Sequence, residues 1–453
     1  MSCLRNSIRQ IEPSLQELVD AIENTSTLTL LILSALRLAR ALAVRIVEEV
    51  LIERAQRPTQ WPDCPKCGKR LHSKGFVRRQ ITSVIGVIRW KRRVGRCPYG
   101  CEIGQIAPLD ESLGLLPHQR TSFELQKLGC LLSVFVPFDT VSVILNCLIS
   151  VQVSSAAVWN WVQNVGQKAM DLLNDQLTEL ASGQLPQTES LDEGIHKAVS
   201  VLPLLIGADG VKVPFRPEGG KGRTVWREVK VAVLARLGRR SSSNEPQLYQ
   251  RRLVAVLGDI DALRPRLWLE ALRQGVLTAA QVVWLSDGGV GFWGIYSACF
   301  AAYSIGILDF YHAAQNLWKG AKAWLDGRSK KAHQWFASAR HRLRYGETDA
   351  VLNDISSALA LDGLSETARK ALKNLYEYLD THQYHIQYQK FKELGLPIGS
   401  GIVESACKWL IQQRFKGVGM RWSETGFNHL LHLRLAWVNG RFDELFVPDD
   451  SPN

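Results

Sequence analysis

Apolar positions in the first sixty residues recur at helical spacing: Leu15, Leu18 and Ile22, then Leu31, Ala35, Leu38 and Leu42. Glu48, Glu49, Glu53 and Arg54 mark a solvated end, so residues 1–58 are expected to form a helical arm that packs or dimerises. Thr27–Val44 is apolar, but Arg37 and Arg40 interrupt it and Arg45 follows, which fits an amphipathic helix better than a membrane span. Two strand-like runs come next, Gly75–Ile81 and Val87–Val94. Residues 118–170 return to a helical pattern. Val141–Ile149, the short Val151–Ser154 and a second helix over Ser155–Gly166 fit a helix-turn-helix and an ordinary helical hairpin equally. Within this region Cys130–Val151 is apolar, but Pro137 and Asp139 break it, so no span is expected there either. A more polar helix, Gln167–Ser190, runs into a Gln/Pro/Ser linker at Gly183–Glu189, where a domain boundary is expected.

From Leu202 the period changes. Pro203–Ile206 is a short apolar run, Asp209 follows between Gly207 and Gly210, and Val211 and Val213 resume alternation; this predicts a buried strand ending in a carboxylate. Glu228–Leu237 and Arg251–Leu257 alternate as strands, with Ser241–Asn244 as the turn between them. Arg264–Gln274 reads as a helix and Gln281–Leu285 as a short buried strand that ends in Asp287 beside Gly288 and Gly289. A helix over Trp293–Tyr303 and a fifth strand, Ile305–Leu308, lead to Asp309-Phe310-Tyr311-His312. Residues 313–395 are helical throughout, an insertion in the α/β pattern. A glycine-closed loop then opens a helix near Ser400–Ile402 that carries Glu404, with Lys408 one turn on. A basic, glycine- and aromatic-rich stretch, Arg414–Trp422, precedes an apolar helix over Phe427–Val438, and the chain ends in acids at Asp449 and Asp450.

Charge narrows the classes. Lys plus Arg number 55 against 43 Asp plus Glu, a net charge of +12, which favours an anionic partner, nucleic acid first. Nine cysteines form no even framework, and the N-terminus shows no signal peptide, so a reducing, cytoplasmic setting is expected. Four cysteines fall into two pairs, Cys64/Cys67 and Cys97/Cys101, each followed or preceded by a turn glycine, with the two strand-like runs between them. Tetrahedral zinc needs four such ligands, and paired knuckles around a hairpin are the layout of a zinc ribbon; free or redox thiols are the alternative. Between Cys64 and Cys101 stand eleven Lys or Arg residues and no acid. Arg78, Arg79, Lys91, Arg92 and Arg93 are therefore candidates for phosphate contact, and Trp90 among them stacks or, preferably, packs.

Three carboxylates then stand at element ends beside small residues: Asp209, Asp287 and Glu404. Hard oxygen ligands suit Mg²⁺ or Mn²⁺, and two such ions roughly 3.5–4 Å apart stabilise both oxygens of a phosphodiester displacement. Asp309 and His312 are candidates for an accessory contact to metal or phosphate, with helix capping and packing as the alternative. Asp259 and Asp261 read as turn residues. Lys408, Arg414 and Lys416 are further candidates for phosphate contact.

The strand and helix order resembles the ribonuclease H-like fold. The set Gly-Ala-Asp209-Gly-Val, Leu-Ser-Asp287-Gly-Gly, Leu-Asp309-Phe-Tyr-His312 and Ile-Gly-Ser-Gly-Ile-Val-Glu404-Ser resembles the DDE transposases of bacterial insertion sequences, in the Mutator-like group and nearest its Kra-type elements. The ending Arg414-Phe-Lys416-Gly-Val-Gly-Met-Arg421-Trp-Ser is also similar to that group. The resemblance implies an α/β catalytic core over 195–312 and 396–445 with the helical insertion 313–395 between its parts. Before it would come the helical arm, a zinc ribbon over 59–110 and a helical DNA-binding region over 111–185. It further implies that Asp209, Asp287 and Glu404 bind the catalytic Mg²⁺ or Mn²⁺ and that the N-terminal modules bind the terminal inverted repeats of double-stranded DNA. Cleavage at the element ends would be followed by strand transfer, in a homo-oligomeric synaptic complex in the bacterial cytoplasm, on the nucleoid when bound. A nuclease or resolvase on the same fold, which would not join ends, and a non-catalytic DNA-binding regulator derived from a transposase are the competing readings.

Overall fold

The structure, a computed structural model, describes residues 13–188, 199–239 and 246–447. The start of the helical arm, the turn at Ser241–Asn244, the end of the linker at Glu189 and the acids Asp449 and Asp450 lie outside these. The described residues divide into two compact units, one holding those up to Asn164 together with those from Asp443, the other Val165–Phe442.

The first unit begins with helices α1 (Pro13–Glu23) and α2 (Leu28–Gln56). Thr27 caps α2, its side chain accepting from the Leu30 N–H at 3.3 Å. Val19 packs against Leu38, while Leu28, Leu30, Ile32 and Leu33 are exposed on the first turns of α2. Strands β1 (His72–Ser83) and β2 (Gly86–Arg96) pair antiparallel as the expected hairpin, longer at both ends than the sequence pattern suggested. Leu51 of α2 packs against Ile81 and Trp90 of the hairpin. Helices α3 (Pro108–Ser112), α4 (Phe123–Phe135), α5 (Phe138–Ile149) and α6 (Ser155–Ala181) follow. Ser150, in the left-handed region with φ 53°, ends α5, and Ser154 caps α6 through the Ala157 N–H at 3.2 Å. The two helical stretches expected over Ser155–Gly166 and Gln167–Ser190 form one continuous helix, α6, that ends at Ala181. Gly166 lets the His429 backbone pack where a Cβ would sit, 2.5 Å from the His429 carbonyl oxygen, and Gln167 meets His429 at 2.9 Å. That packing, not a change of secondary structure, is what the glycine serves.

The second unit is built on one five-stranded sheet, β3 (Leu204–Phe215), β4 (Val225–Arg239), β5 (Pro246–Leu257), β6 (Val282–Ser286) and β7 (Ser304–Leu308), in the order β5-β4-β3-β6-β7. β3, β4 and β5 form an antiparallel meander, and β6 and β7 add to β3 in parallel. β6 is buried along its length, which is why it reads as an unbroken apolar run instead of an alternation. Helices α7 (Ile260–Arg273) and α8 (Val290–Ile295) precede β6 and β7, respectively following β5 and β6; α8 continues into a π-helical turn over Tyr296–Phe300. Asp259, read as a turn residue, is the N-cap of α7, accepting from the Ala262 N–H at 2.9 Å.

Between β7 and the last helices lie α9 (Phe310–Leu325), α10 (Lys330–Arg344), α11 (Thr348–Leu359), α12 (Glu366–Thr381) and α13 (Tyr388–Glu393). Their apolar faces join the core of the sheet: Leu317, Leu343, Ile355, Leu372 and Leu379 belong to the same buried cluster as Ile206 and Trp284. Helix α14 (Gly401–Cys407) passes through a π-helical turn, Lys408–Gln412, and α15 (Glu424–Val438) closes the unit. Among the described residues no helix is long and apolar enough to cross a membrane.

Candidate active site and metal centre

Asp209 does not end its strand. β3 runs on to Phe215, with Asp209 opposite Val231 of β4. What ends there is the parallel pairing with β6, whose last partners are Ala208 and Ser286. Asp209 and Asp287 are thus the next residues on two adjacent parallel strands, side by side where the ladder opens. The Asp209 carboxylate accepts from the Gly210 N–H at 2.6 Å, and Asp287 accepts from the Gly289 N–H at 3.0 Å. The Trp293 indole N–H donates to the Asp287 carbonyl at 2.7 Å, tying the start of α8 to this turn. Gly288 has no room for a side chain, since a Cβ there would lie 2.2 Å from the Tyr378 ring.

Glu404 arrives from α14. That helix presses on β3 at Gly207, where a Cβ would lie 2.4 Å from Val403 Cγ2. The third acid is therefore carried across the strand of the first by a contact only glycine permits. Burial pushes the Asp209 carboxyl up, against the Gly210 hydrogen bond, and the charges of Asp287 and Glu404 push it further the same way. The Glu404 side chain is half exposed and pairs with Lys408 at 3.8 Å. The three carboxylates do not all fall within 4.8 Å of one another; among the described residues the four cysteines are the group that does.

Asp309 is buried and caps α9, its Oδ1 accepting from the His312 N–H at 2.7 Å. Its other oxygen accepts from the Ser400 N–H. His312 Nδ1 lies 3.2 Å from Oδ1. Burial pushes the Asp309 carboxyl up, but the hydrogen bonds from His312 and Ser400 outweigh it and hold it at about 2. The Asp309 hydrogen bond pushes His312 up, burial opposes it, and the charges of Asp309, Asp287 and Asp209 reinforce it. The capping geometry of Asp309 is thus occupied by protein donors on both oxygens, while His312 lies within electrostatic reach of two of the acids.

Sequence reasoning did not single out Tyr378 or the aromatic group behind Asp287. Trp293 packs at a tilt against His385, with ring centroids 4.4 Å apart, and against His382 at 4.8 Å. His385 Nδ1 meets the Gly306 carbonyl at 3.0 Å, while burial and then the neighbouring His385 hold His382 down at about 4. These residues come from the far end of the helical insertion, so no local spacing links them to Asp287.

The four cysteines converge as the spacing predicts, with Cys67 and Cys97 sulfurs 3.5 Å apart. Zinc–sulfur bonds of about 2.3 Å put sulfurs roughly 3.8 Å apart in a tetrahedron, so the donor set fits. Gly68 and Gly100 take φ of 68° and 72°, the left-handed geometry the two knuckles need. The Gly68 N–H bonds the Cys64 carbonyl at 2.8 Å and the Gly100 N–H the Cys97 carbonyl at 3.2 Å. Trp61, Leu71, Ile103 and Ile106 pack around the sulfurs.

The basic residues divide. Arg78 and Lys91 are directly opposite each other and exposed, and Arg93 lies over the Phe76 ring at 5.2 Å. Arg92 is turned inward: it is 2% exposed, bonds Asp110 at 2.9 Å and also donates to the Val77 carbonyl at 3.1 Å. Arg79 joins it, 3.7 Å from Asp110. Arg414 is also buried, against Trp422, whereas Lys408 and Lys416 are exposed.

No family model and no curated protein matches the chain. Among solved structures the chain is similar to a chain of the Drosophila P element transposase strand transfer complex, with 12% identity over 72% of this chain and 93% of that one and a TM-score of 0.32.

Proposed function

We propose that the chain is a DNA transposase of the DDE type, of the Mutator-like kind found in bacterial insertion sequences, with a ribonuclease H-like catalytic unit. The observation that carries the reading is the placement of Asp209 and Asp287 side by side where the β3–β6 ladder opens, with α14 bringing Glu404 across β3 through Gly207. The antiparallel meander joined by two parallel strands supports it, because that is the order on which the fold resemblance rests.

Asp209, Asp287 and Glu404 would hold Mg²⁺ or Mn²⁺. The donor set is hard oxygen, and the upward push on Asp209 from burial and from the other two acids marks a concentration of negative charge that divalent cations offset. Such ions, when bound, supply charge stabilisation to the attacking and leaving oxygens of a phosphodiester. The protein's own part is positioning: Asp209 is held within β3, Asp287 directly follows β6, and Asp309 bonds the loop that leads to Glu404. His312, pushed toward its charged form by Asp309, would offer a donor to a phosphate oxygen beside the acids. Lys408 and Lys416 face solvent and would follow the backbone. The four-cysteine site would hold structural Zn²⁺ and brace the basic hairpin, which with the helical region would bind the inverted repeats of double-stranded DNA as part of a homo-oligomer.

The test is incubation with labelled element-end DNA and a target plasmid in Mg²⁺ or Mn²⁺, beside an Asp287→Ala control. Joined product that needs metal and is lost in the control supports the reading. Cleavage without joining points to a nuclease, and binding with neither points to a regulator.

A further inference from the structure

The outer face of the β1–β2 hairpin is a recess. Phe76, Arg78 and Gln80 on β1 and Arg89 and Lys91 on β2 share one side of the ribbon, alternating with Val77, Arg79, Ile81 and Trp90. Ile52 and Gln56, in the last turns of α2, stand beside that face, and the space they help enclose is about 810 Å³. Its lining holds Arg78, Arg89 and Lys91 from the outer face, reaches Arg79, which Asp110 pairs on the other face, and includes no carboxylate. Among the described residues neither Arg78 nor Lys91 meets an acid. Phe76 is 45% exposed although it lies on a regular strand, and the Arg93 guanidinium sits over its ring.

These features together select a ligand. Unpaired cations along a ribbon attract phosphates. An exposed ring under a planar guanidinium is a stacking surface for a base, which every nucleobase can use. An acidic peptide would satisfy the cations and leave that surface idle. A two-stranded ribbon can read duplex DNA by projecting into a major groove, but Ile52 and Gln56 of α2 stand along one side of the recess and narrow it to a width that suits a single strand.

We propose that this recess binds an unpaired nucleotide, with its phosphates on Arg78, Arg89 and Lys91 and its base against Phe76 and Arg93. The proposal rests on the reading of the chain as a DNA-binding protein and narrows it from duplex alone to duplex with an unpaired stretch.

The test uses the full chain, purified with zinc, and fluorescence anisotropy on a short mixed-sequence single strand and on the same sequence as a blunt duplex, with deoxyadenosine monophosphate as competitor. The single strand should bind about tenfold tighter than the blunt duplex, and Phe76→Ala should weaken the strand by about tenfold while leaving the duplex unchanged. Arg78→Gln combined with Lys91→Gln should reduce the salt slope for the strand by about 1.4. This second variant, checked by circular dichroism and zinc content, keeps the test decisive if Phe76→Ala does not fold. Competition by the mononucleotide at the strand's own affinity would identify free nucleotide as the ligand, and competition only at far higher concentration would identify a strand. Equal binding of strand and duplex, folded variants that change nothing, or a polyglutamate peptide that competes as well as the strand would overturn the proposal and leave the DNA-binding reading standing. Failure of any DNA to bind would remove both.

Discussion

The Asp309 carboxylate accepts a hydrogen bond from the Ser400 backbone N–H, 91 residues away in the chain. The Phe310 N–H donates to the Ile398 carbonyl at 2.8 Å beside it, so the first turn of α9 and the loop before α14 are strapped together. Ser400 is the residue from which the Glu404 helix starts, so the strap bonds the chain directly before it. Asp309→Ala removes a helix cap, about 1 kcal/mol, and leaves a buried N–H without a partner, about 1–3 kcal/mol. Urea denaturation should show a loss of about 2–4 kcal/mol with zinc content retained, and strand transfer should fall. A variant as stable as the parent would show that the strap does not hold the loop.

His312 should give the stability a pH dependence of definite sign. Its folded pKa is raised by the Asp309 hydrogen bond, so the charged imidazole stabilises the fold below the unfolded value near 6.5, and the contribution fades as pH rises through the raised folded value. The side chain is 34% exposed, so solvent screens part of the effect. Denaturation series from pH 6 upward should show stability falling in the parent and a flatter profile in His312→Gln. Parallel profiles would remove His312 as the source.

Much of this was legible because it is local. The knuckle glycines and paired cysteines are neighbours in sequence, the buried β6 announces itself as an apolar run, and Asp209 in β3 and Asp287 after β6 stand beside glycines that the packing uses. What escaped depends on partners far along the chain. By charge Arg92 belongs to the basic cluster, yet on a ribbon it shares a face with Trp90 and Val94, both buried, and its acid, Asp110, lies outside the motif. Alternation held that signal and the charge count concealed it. Gly207 and Gly210 break the apolar pattern and make Asp209 look like a strand end, but an antiparallel partner can carry a strand through such a break, and only the parallel neighbour stops. His382, His385 and Tyr378 reach the back of Asp287 through tertiary packing of the insertion, for which no spacing rule exists.

Gly207 makes a sharp case for the role of close packing. A methyl group there would lie 2.4 Å from Val403 Cγ2 and 3.1 Å from the Leu285 carbonyl, so Gly207→Ala must push α14 off β3. Overpacking of this kind costs about 1–3 kcal/mol. The larger effect should fall on activity, since a displacement near 1 Å at a reacting group can cost about a hundredfold. Adding Val403→Ala opens space on the helix side and should return part of the lost strand transfer. If the single variant joins DNA at the parental rate, α14 does not set the position of Glu404.

Arg92 and Lys91 are adjacent in sequence and opposite in consequence. Arg92 is buried with Asp110, and Gln105 accepts a further bond from it at 3.2 Å, so Arg92→Ala strands a carboxylate that is itself 8% exposed. Breaking such a pair from one side typically costs about 3–5 kcal/mol. Lys91 is exposed on the other face, and Lys91→Ala should change stability by less than about 0.5 kcal/mol. Binding should order them the other way: Lys91→Ala weakens DNA binding and lowers its salt dependence, while Arg92→Ala affects binding only as far as the first unit loses its fold. Thermal unfolding and salt-dependent anisotropy on both variants separate the two roles. A destabilised Lys91→Ala, or a stable Arg92→Ala that binds DNA weakly, would reverse the assignment of inner and outer faces on the hairpin.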